Sequence, residues 1–285
     1  MNNITLAIID IGSNSVRILY NDNKLPVKEI ITTRLSQNMK DSILDENAIK
    51  RTVNAVLILY KRAIERNIDK ISIFATEAVR SAKNSNEFIK QIKKITHIDV
   101  DVVSGDRESE LALLGALGKN ATGGVIDIGG ASTEIVYAEN GNIIYKRSLN
   151  IGAVKLYDAF KGDKEQTNTY IKSKIAEYGE IPKGEYKFIG GTATSLAGIV
   201  LRLKEYDSSK TDGTILLLNK LKEVESELYS LTVDKIVEKY PISKSRAEII
   251  AGGVSLIVNI LEYANILKVQ VSESDNLEGY LLTLN

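Results

Sequence analysis

Two distant segments of the chain carry nearly the same twelve-residue pattern. Residues 9–20 read IDIGSNSVRILY and residues 126–137 read IDIGGASTEIVY, so seven of the twelve positions are identical without a gap. In both copies an apolar run leads into a short turn of small residues, and a second β-rich run follows. This arrangement is typical of a β-hairpin. The chain is therefore predicted to contain two related units, each led by a hairpin.

The tip of each hairpin joins small residues to one aspartate. Asp10 and Asp127 stand at the end of the first strand of their copies, and Gly and Ser residues follow. Small residues let the backbone approach a phosphate, so that consecutive N–H groups can point at one anion. A carboxylate repels phosphate, but it can hold a Mg²⁺ ion that bridges to the phosphate.

One such turn alone would favour an ordinary hairpin, because Asp is common in turns. The second copy, with Asp, Gly and Ser in the same places, favours a phosphate site shared by the two turns. The predicted phosphate contacts in the turns are Gly12, Ser13, Asn14, Ser15, Gly129, Gly130, Ala131, Ser132 and Thr133.

The composition excludes several kinds of site. The 285 residues carry 37 basic and 37 acidic side chains, so a general attraction to nucleic acid or to a membrane is not expected. The absence of cysteine excludes disulfides and Cys-ligated zinc. The single histidine, His97, lies in a polar segment without a neighbouring partner, which disfavours a catalytic role. The first residues lack a leader-like apolar stretch and no segment is long enough to span a membrane, so a cytoplasmic protein is expected.

Apolar periodicity predicts helices and strands that mix along both halves. The predicted helices cover residues 46–67, 87–95, a segment ending near 118, 167–178, 214–228, 233–239, 246–263 and 276–282. Beyond the hairpins, strands are predicted at 71–75, 100–103, 186–189 and 268–271. The sequence therefore predicts an α/β fold with domains at 1–121 and 122–285, and a C-terminal tail that can pack back on the first domain.

Six motifs, in order, resemble the exopolyphosphatase / guanosine pentaphosphate phosphatase family, within the actin/hexokinase/Hsp70 superfamily. They are DIGSNSVR at 10–17, ATEAVR at 75–80, Ser104-Gly105 followed by Glu108, DIGGASTE at 127–134, Ser148-Leu149 with Ile151-Gly152, and GGTAT at 190–194. The resemblance covers essentially the whole chain. It implies two ribonuclease-H-like (actin-like) lobes, with mixed sheets flanked by helices and an active site in the cleft between them.

The same resemblance implies a reaction. It implies Mg²⁺-dependent release of a terminal phosphoryl group, with polyphosphate or guanosine penta- or tetraphosphate as the partner. Glu108 matches the family's general base, and Asp127 and Glu134 match its acidic metal-site residues. We also expect Asp10 to contact the metal ion through water. Many relatives dimerise, so a homodimer stays open.

The chain departs from the family's motifs at two places. Ala131 stands where the family usually has a third Gly, and we expect its methyl group to restrict positive φ. The segment after Ser104-Gly105 differs too, which leaves Glu110 as a competing general base, although the register favours Glu108.

Three arginines are candidates for phosphate contacts, because a guanidinium fork suits two phosphate oxygens. Arg17 and Arg80 are predicted to act in catalysis and Arg246 in phosphate binding, and each has the alternative of an ordinary surface position. The turn Gly190, Gly191 and Thr192 suits an anion at the start of a helix, or is a plain strand-to-helix turn. Several further basic residues would guide a polyanion or form a solvated face. They are Lys146, Arg147, Lys155, Lys161 and Lys164.

Three functions remain open from the sequence. The first is an exopolyphosphatase, the second is a guanosine pentaphosphate phosphatase with the same chemistry, and the third is a non-catalytic sensor of phosphate chains or nucleotides. A sugar kinase or an actin-like ATPase is disfavoured, because nothing specific indicates an adenosine pocket. Glu108 separates an enzyme from a sensor, since it has the alternative role of a first-turn helix acid.

Overall fold

Two β-sheets form the frame of the molecule, a computed structural model that describes residues 4–22, 24 and 27–284. The first sheet contains β1 Leu6–Ile11, β2 Ser15–Asn21, β3 Lys28–Thr32, β4 Lys70–Ala75 and β5 Val100–Val102. Its order is β3-β2-β1-β4-β5. The first three strands pair antiparallel, and β4 and β5 extend the sheet in parallel from β1.

The second sheet repeats this plan. It contains β6 Gly123–Ile128, β7 Thr133–Glu139, β8 Asn142–Leu149, β9 Tyr186–Ile189, β10 Ile215–Leu217 and β11 Lys268–Val271. Its order is β10-β11-β9-β6-β7-β8. Read from β8, three antiparallel strands are followed by the parallel strands β9 and β11, and β10 is added antiparallel at the edge. The predicted duplication is thus visible as two sheets with the same ribonuclease-H-like strand order.

Helices pack against both sheets. They are α1 Glu46–Glu65, α2 Glu77–Arg80, α3 Ser85–Thr96, α4 Gly105–Leu117, α5 Ala153–Phe160, α6 Lys164–Ile175, α7 Gly190–Val200, α8 Ser208–Thr211, α9 Leu218–Ser230, α10 Val233–Lys239, α11 Lys244–Tyr263 and α12 Asn276–Leu282, with a 3₁₀ turn at Ala176–Tyr178. The core of the first sheet lies against α1 and α3, and that of the second against α6, α7, α9 and α11. Across the described ranges, no helix is both long and apolar enough to cross a membrane.

Helix α12 packs against α4 and β1, although it follows the whole second sheet in the chain. Two glycines allow the helices to approach closely. A Cβ atom at Gly115 would overlap the carbonyl of Asp275, and one at Gly279 would overlap the carbonyl of Leu111. Ser104 caps the start of helix α4, and its hydroxyl oxygen accepts a hydrogen bond from Arg107 N at 3.1 Å. The start of α4 is therefore fixed by its cap, and its far end by α12.

The structure differs from the sequence prediction in several elements. The helix predicted at 214–228 is wrong at its start, because residues 215–217 pair with β11 as a strand and the helix begins at Leu218. Strands β3 and β8 complete the two antiparallel units and were not predicted. Both lie at sheet edges with largely unburied residues, so their apolar pattern is weak. The domain boundary near residue 121 stays a prediction.

Candidate active site

The two hairpin turns have the same backbone geometry. Gly12 N donates to Ser15 O at 3.0 Å in the first, and Gly129 N donates to Ser132 O at 3.0 Å in the second. A Cβ atom at either glycine would stand 3.2 Å from the accepting carbonyl. The strand registers also match, since Asp10 faces Arg17 and Asp127 faces Glu134. The duplicated sequence therefore forms two copies of one structural device, with a cation opposite the first aspartate and an acid opposite the second.

The two turns meet. A Cβ atom at Gly130 would lie 3.2 Å from Ser13 Cβ and 3.5 Å from Asn14 Cβ, so the second turn packs directly on the first. Within the described residues, the backbone N–H groups of Ser13, Asn14, Gly130 and Ala131 have no hydrogen-bond partner. Groups of this kind suit an anion.

Both turns line one cleft between the sheets. Its wall also includes Glu108, Asp127, Gly190, Gly191 and Arg246. The further wall residues are Thr76, Thr194, Tyr206, Glu273, Asp275, Asn276 and Leu277. The structure therefore brings the two turns, the predicted base and the predicted metal-site aspartates into a single crevice.

Ala131 does not disturb the second turn. Its side chain is buried, and it is absent from the described residues with positive φ, as are Gly129 and Gly130. The restriction of positive φ by the Ala131 methyl group therefore has no effect on the turn, because no left-handed conformation is required there.

Asp127 lies between a helix start and an amide. A Cβ atom at Gly190, which has φ +80°, would stand 2.7 Å from Asp127 Oδ1. Asn276 Nδ2 donates to Asp127 Oδ2 at 3.4 Å. Burial, with the charges of Asp275 and Glu108, raises the pKa of Asp127 to about 8. A cation bound here would favour the charged form.

Arg17 joins the first hairpin to the C-terminal segment. Its Nε donates to Asp10 Oδ2 at 2.9 Å, and its Nη1 donates to Asp275 Oδ2. Asp10 Oδ1 is buried without any hydrogen-bond partner among the described residues. Burial raises the pKa of Asp10 although Arg17 opposes the rise. Arg17 therefore lines the cleft with its guanidinium engaged by two carboxylates, and one oxygen of Asp10 is left for a further ligand.

Glu108 is held by Arg80 in the first turn of α4. Arg80 Nη1 donates to Glu108 Oε2 at 2.9 Å and to Val103 O at 2.8 Å, and its other nitrogen pairs with Glu77. Glu108 is 6% exposed. Burial raises its pKa to about 7, against the lowering effect of Arg80. Arg80 does not line the cleft, and its observed partners are Glu108, Glu77 and Val103 O.

Glu110 lies outside the cleft. Its carboxylate accepts from Arg107 Nη1 at 3.1 Å and lies 3.7 Å from Lys146 Nζ, and its side chain is 41% exposed. The geometry therefore favours Glu108 over Glu110 as the candidate base.

Arg246 is a cation of the cleft without an acidic partner in the described part of the chain. It stands at the start of α11 and packs over Gly191, where a Cβ atom would overlap its guanidinium. Burial, together with the charge of Arg17, lowers the pKa of Arg246 to about 10. An anion in the cleft would relieve both effects.

Several predicted site residues have internal partners. The Thr133 hydroxyl donates to Ile151 O at 2.6 Å, and the Thr192 hydroxyl donates to Ile128 O at 2.9 Å. Glu134 is buried and accepts from the Ser148 hydroxyl at 2.6 Å. These three side chains brace the second turn and the start of α7.

None of the five predicted guide residues lines the cleft. Lys146 pairs with Asp106 and Glu110, Lys161 with Asp158, and Lys164 with Glu225. Lys155 bonds to Asn150, and Arg147 lies over Tyr145. His97 ends α3 in an exposed position.

Asp275 and Asn276 also line the cleft, although neither was predicted as a site residue. Asp275 precedes α12 and caps it with a capping box. Its carboxylate accepts from Leu277 N at 3.0 Å, and Glu278 accepts from Asp275 N at 2.9 Å. The Asp-x-x-Glu pattern at 275–278 was a readable sign of a helix start. It could not show that this helix start would contact Arg17.

Two ribonuclease-H-like lobes that meet at paired Gly- and Ser-rich turns define the actin-like class of two-lobed proteins, as predicted. Within that class, the model of the Ppx/GppA phosphatase family matches residues 23–284. The chain belongs to this family.

Curated relatives and a solved structure agree with this assignment. The chain is 31% identical to a bifunctional 3-dehydroquinate synthase/phosphatase of Fusobacterium nucleatum, over 99% of this chain and 46% of that protein. It is 27% identical to a guanosine-5'-triphosphate,3'-diphosphate pyrophosphatase of Pseudoalteromonas translucida, over 98% and 59%. An exopolyphosphatase 2 of Mycobacterium tuberculosis is 26% identical, over 98% of both chains. The crystal structure of the Aquifex aeolicus family member has 26% identity and a TM-score of 0.80, over 99% and 97%.

The chain spans about half the length of the first two of these curated relatives, 46% and 59%.

Proposed function

We propose that this protein hydrolyses the terminal phosphoanhydride bond of a phosphate-chain substrate, and that inorganic polyphosphate is the first such substrate. One observation carries the proposal. A buried carboxylate, Glu108, whose pKa lies near 7, lines the same cleft as two matched turns with unpaired N–H groups. Such a carboxylate suits proton transfer at neutral pH.

The turns supply the binding site. Backbone N–H groups of Ser13, Asn14, Gly130 and Ala131 would donate to the oxygens of the last phosphates. The guanidinium of Arg246 would contact the same phosphate chain, since it faces the cleft without an acidic partner in the described ranges. These contacts fix the substrate and offset the charge that develops as the bond breaks.

Glu108 supplies the base. It would accept a proton from a water molecule as that oxygen bonds to the terminal phosphorus, and the bridging oxygen would leave with the remaining chain. Arg80 is a positioning residue, because it fixes Glu108 between Val103 and the cleft. Glu110 is not required in this scheme.

Mg²⁺ is a proposed cofactor. The described residues contain no ready-made cluster of three metal ligands. Mg²⁺ usually takes only one or two carboxylates and completes its shell with water and phosphate. The carboxylates of the cleft are therefore ligands of the kind that Mg²⁺ binds. Asp127, with its raised pKa, and the unpaired Oδ1 of Asp10 would hold the ion. Glu134, bonded to Ser148, would act behind them. When bound, the ion would neutralise phosphate oxygens.

Guanosine pentaphosphate is the second candidate substrate. The name of the Pseudoalteromonas relative supports it, and the name of the Mycobacterium relative supports polyphosphate. The chemistry at the terminal phosphate is the same for both substrates. The cleft wall beyond the turns, with Tyr206 and Glu273, is where they would differ.

Phosphate release is the decisive test. We expect purified protein with Mg²⁺ to release phosphate from polyphosphate, and side-by-side assays with guanosine pentaphosphate and ATP to rank the substrates. A protein that binds polyphosphate without releasing phosphate from any of the three would be a sensor. That outcome would overturn the proposal.

A further inference from the structure

The segment after β3 supports the first turn from behind. Thr33 N and Arg34 N both donate to Asn14 O, at 3.0 Å and 2.8 Å, and Ser36 N donates to Ser13 O at 3.0 Å. Arg34 adopts φ 52°, a left-handed conformation that is uncommon for a residue with a side chain. The tip of the phosphate turn is therefore carried by this segment, and Arg34 stands at its bend.

The side chain of Arg34 reaches the other lobe. Its Nη2 lies 2.6 Å from Glu248 Oε2, and the two side chains are 22% and 18% exposed. Glu248 belongs to α11, two residues after Arg246. The next residue, Ile249, packs on Ala153 and Val154.

Through Ile249, helix α11 packs on two residues that are hydrogen-bonded to the second turn. Ala153 N donates to Gly129 O at 3.0 Å, and Val154 N donates to Gly130 O at 2.9 Å. The Arg34–Glu248 ion pair thus connects the first turn to α11. That helix carries Arg246 and packs on the residues that bond to the second turn.

We propose that the Arg34–Glu248 ion pair is a cross-lobe latch that fixes the first phosphate turn relative to α11 and its Arg246. Neither residue lines the cleft, so both are positioning residues that act through Asn14 and Arg246. Without the latch, the first turn keeps its hairpin but loses its fixed distance from α11. The cleft then holds phosphate less tightly, while Glu108 keeps its contact with Arg80. This inference rests on the proposed phosphate site.

A charge swap tests the latch. Arg34→Glu and Glu248→Arg are each expected to raise KM for polyphosphate by about tenfold and to change kcat little. A tenfold change is within the range of interaction energies measured between residues in contact. The double variant Arg34→Glu/Glu248→Arg should restore most of the loss, because it rebuilds the pair in reverse. The control is the swap Lys222→Glu/Glu262→Lys, which reverses an ion pair that does not line the cleft and should leave KM unchanged.

Hydrogen exchange gives a second readout that needs no activity. Arg34→Glu should speed exchange at the amides of residues 33, 34 and 36, and the double variant should return it toward the wild-type rate. Should the swap variants fail to fold, Arg34→Lys and Glu248→Gln replace them. Unchanged exchange and KM in the single variants, or a double variant no better than the worse single one, would overturn the latch. Wild-type protein without hydrolysis but with the expected exchange pattern would instead count against the proposed function alone.

Discussion

Gly190 brings its backbone so close to Asp127 that a methyl group at residue 190 would lie 2.7 Å from Asp127 Oδ1. Its φ of +80° also disfavours a side chain. We therefore expect Gly190→Ala to lower stability by about 1–2 kcal/mol and to abolish most phosphate release, because Asp127 must move. Thermal unfolding and phosphate assays measure the two effects.

Gly118 provides a matched control for this substitution. It has φ +81° and nothing within 4 Å of an added Cβ atom. Gly118→Ala should therefore also strain the backbone, but it should leave phosphate release intact. Equal loss of activity in both variants would show that strain alone explains the result.

Glu108→Gln should lower kcat by about a hundredfold to ten-thousandfold, because the amide cannot accept the proton. Binding of polyphosphate should persist, since the turns and Arg246 are untouched. Steady-state kinetics and titration calorimetry separate the two quantities. Glu110→Gln is the control, and wild-type turnover in Glu108→Gln would remove this residue from the mechanism.

The pH dependence should show one acidic limb from Glu108. Its pKa of about 7 in the folded protein means that the carboxylate forms as pH rises through 7. We therefore expect kcat/KM to rise through this range and then level off. A profile already flat from pH 5 upward would contradict a base in this environment.

The free energy of unfolding should fall over the same pH range in which kcat/KM rises. Burial raises the pKa of Glu108 from 4.5 to about 7, so the folded state holds more protons than the unfolded state between these values. The contribution of Glu108 to stability therefore falls as pH rises through that window, by on the order of 2–3 kcal/mol. Glu108→Gln lacks this loss. Denaturant unfolding at pH 5 and pH 8 compares the two proteins.

Arg80→Met should move the acidic limb to higher pH. The guanidinium lowers the pKa of Glu108, so its removal leaves burial unopposed. The measurement is the pH profile of kcat/KM, with Arg107→Met as the control because that arginine pairs with Glu110 instead. A limb that stays in place while activity falls would assign Arg80 a direct contact with phosphate.

Arg246→Met should raise both KM and stability. The arginine is held in the cleft without an acidic partner in the described structure, and burial lowers its pKa to about 10. Removing the cation should add on the order of 1 kcal/mol of stability and raise KM about tenfold or more. Arg147→Met is the control, because Arg147 does not line the cleft. Lower stability with unchanged KM would show that Arg246 has only a structural role.

Local patterns predicted the two hairpins well. Asp10, its turn and Arg17 lie within one hairpin, and the same holds for Asp127 and Glu134, so short-range periodicity was sufficient. The second copy indicated that the first is more than an ordinary hairpin. In the structure both turns have the same hydrogen bond, donated by Gly12 N and by Gly129 N.

Long-range contacts could not be predicted from the sequence pattern. The bond between Arg17 and Asp275 joins residues 258 positions apart, and no periodicity records such a contact. Arg80 likewise looked free to bind phosphate, because its partner Glu108 is 28 positions away. The edge strand β10 was assigned to a helix, since three apolar residues next to a helix carry no signal of their own pairing.

The close packing of α12 on α4 has a consequence for biosynthesis. The ribosome makes residues 276–282 only after every strand of the second sheet, yet these residues complete the support of the helix that carries Glu108. The first lobe cannot finish its tertiary structure as an independent co-translational unit. Hydrolytic competence should therefore emerge late, when the nascent chain folds back on its own beginning.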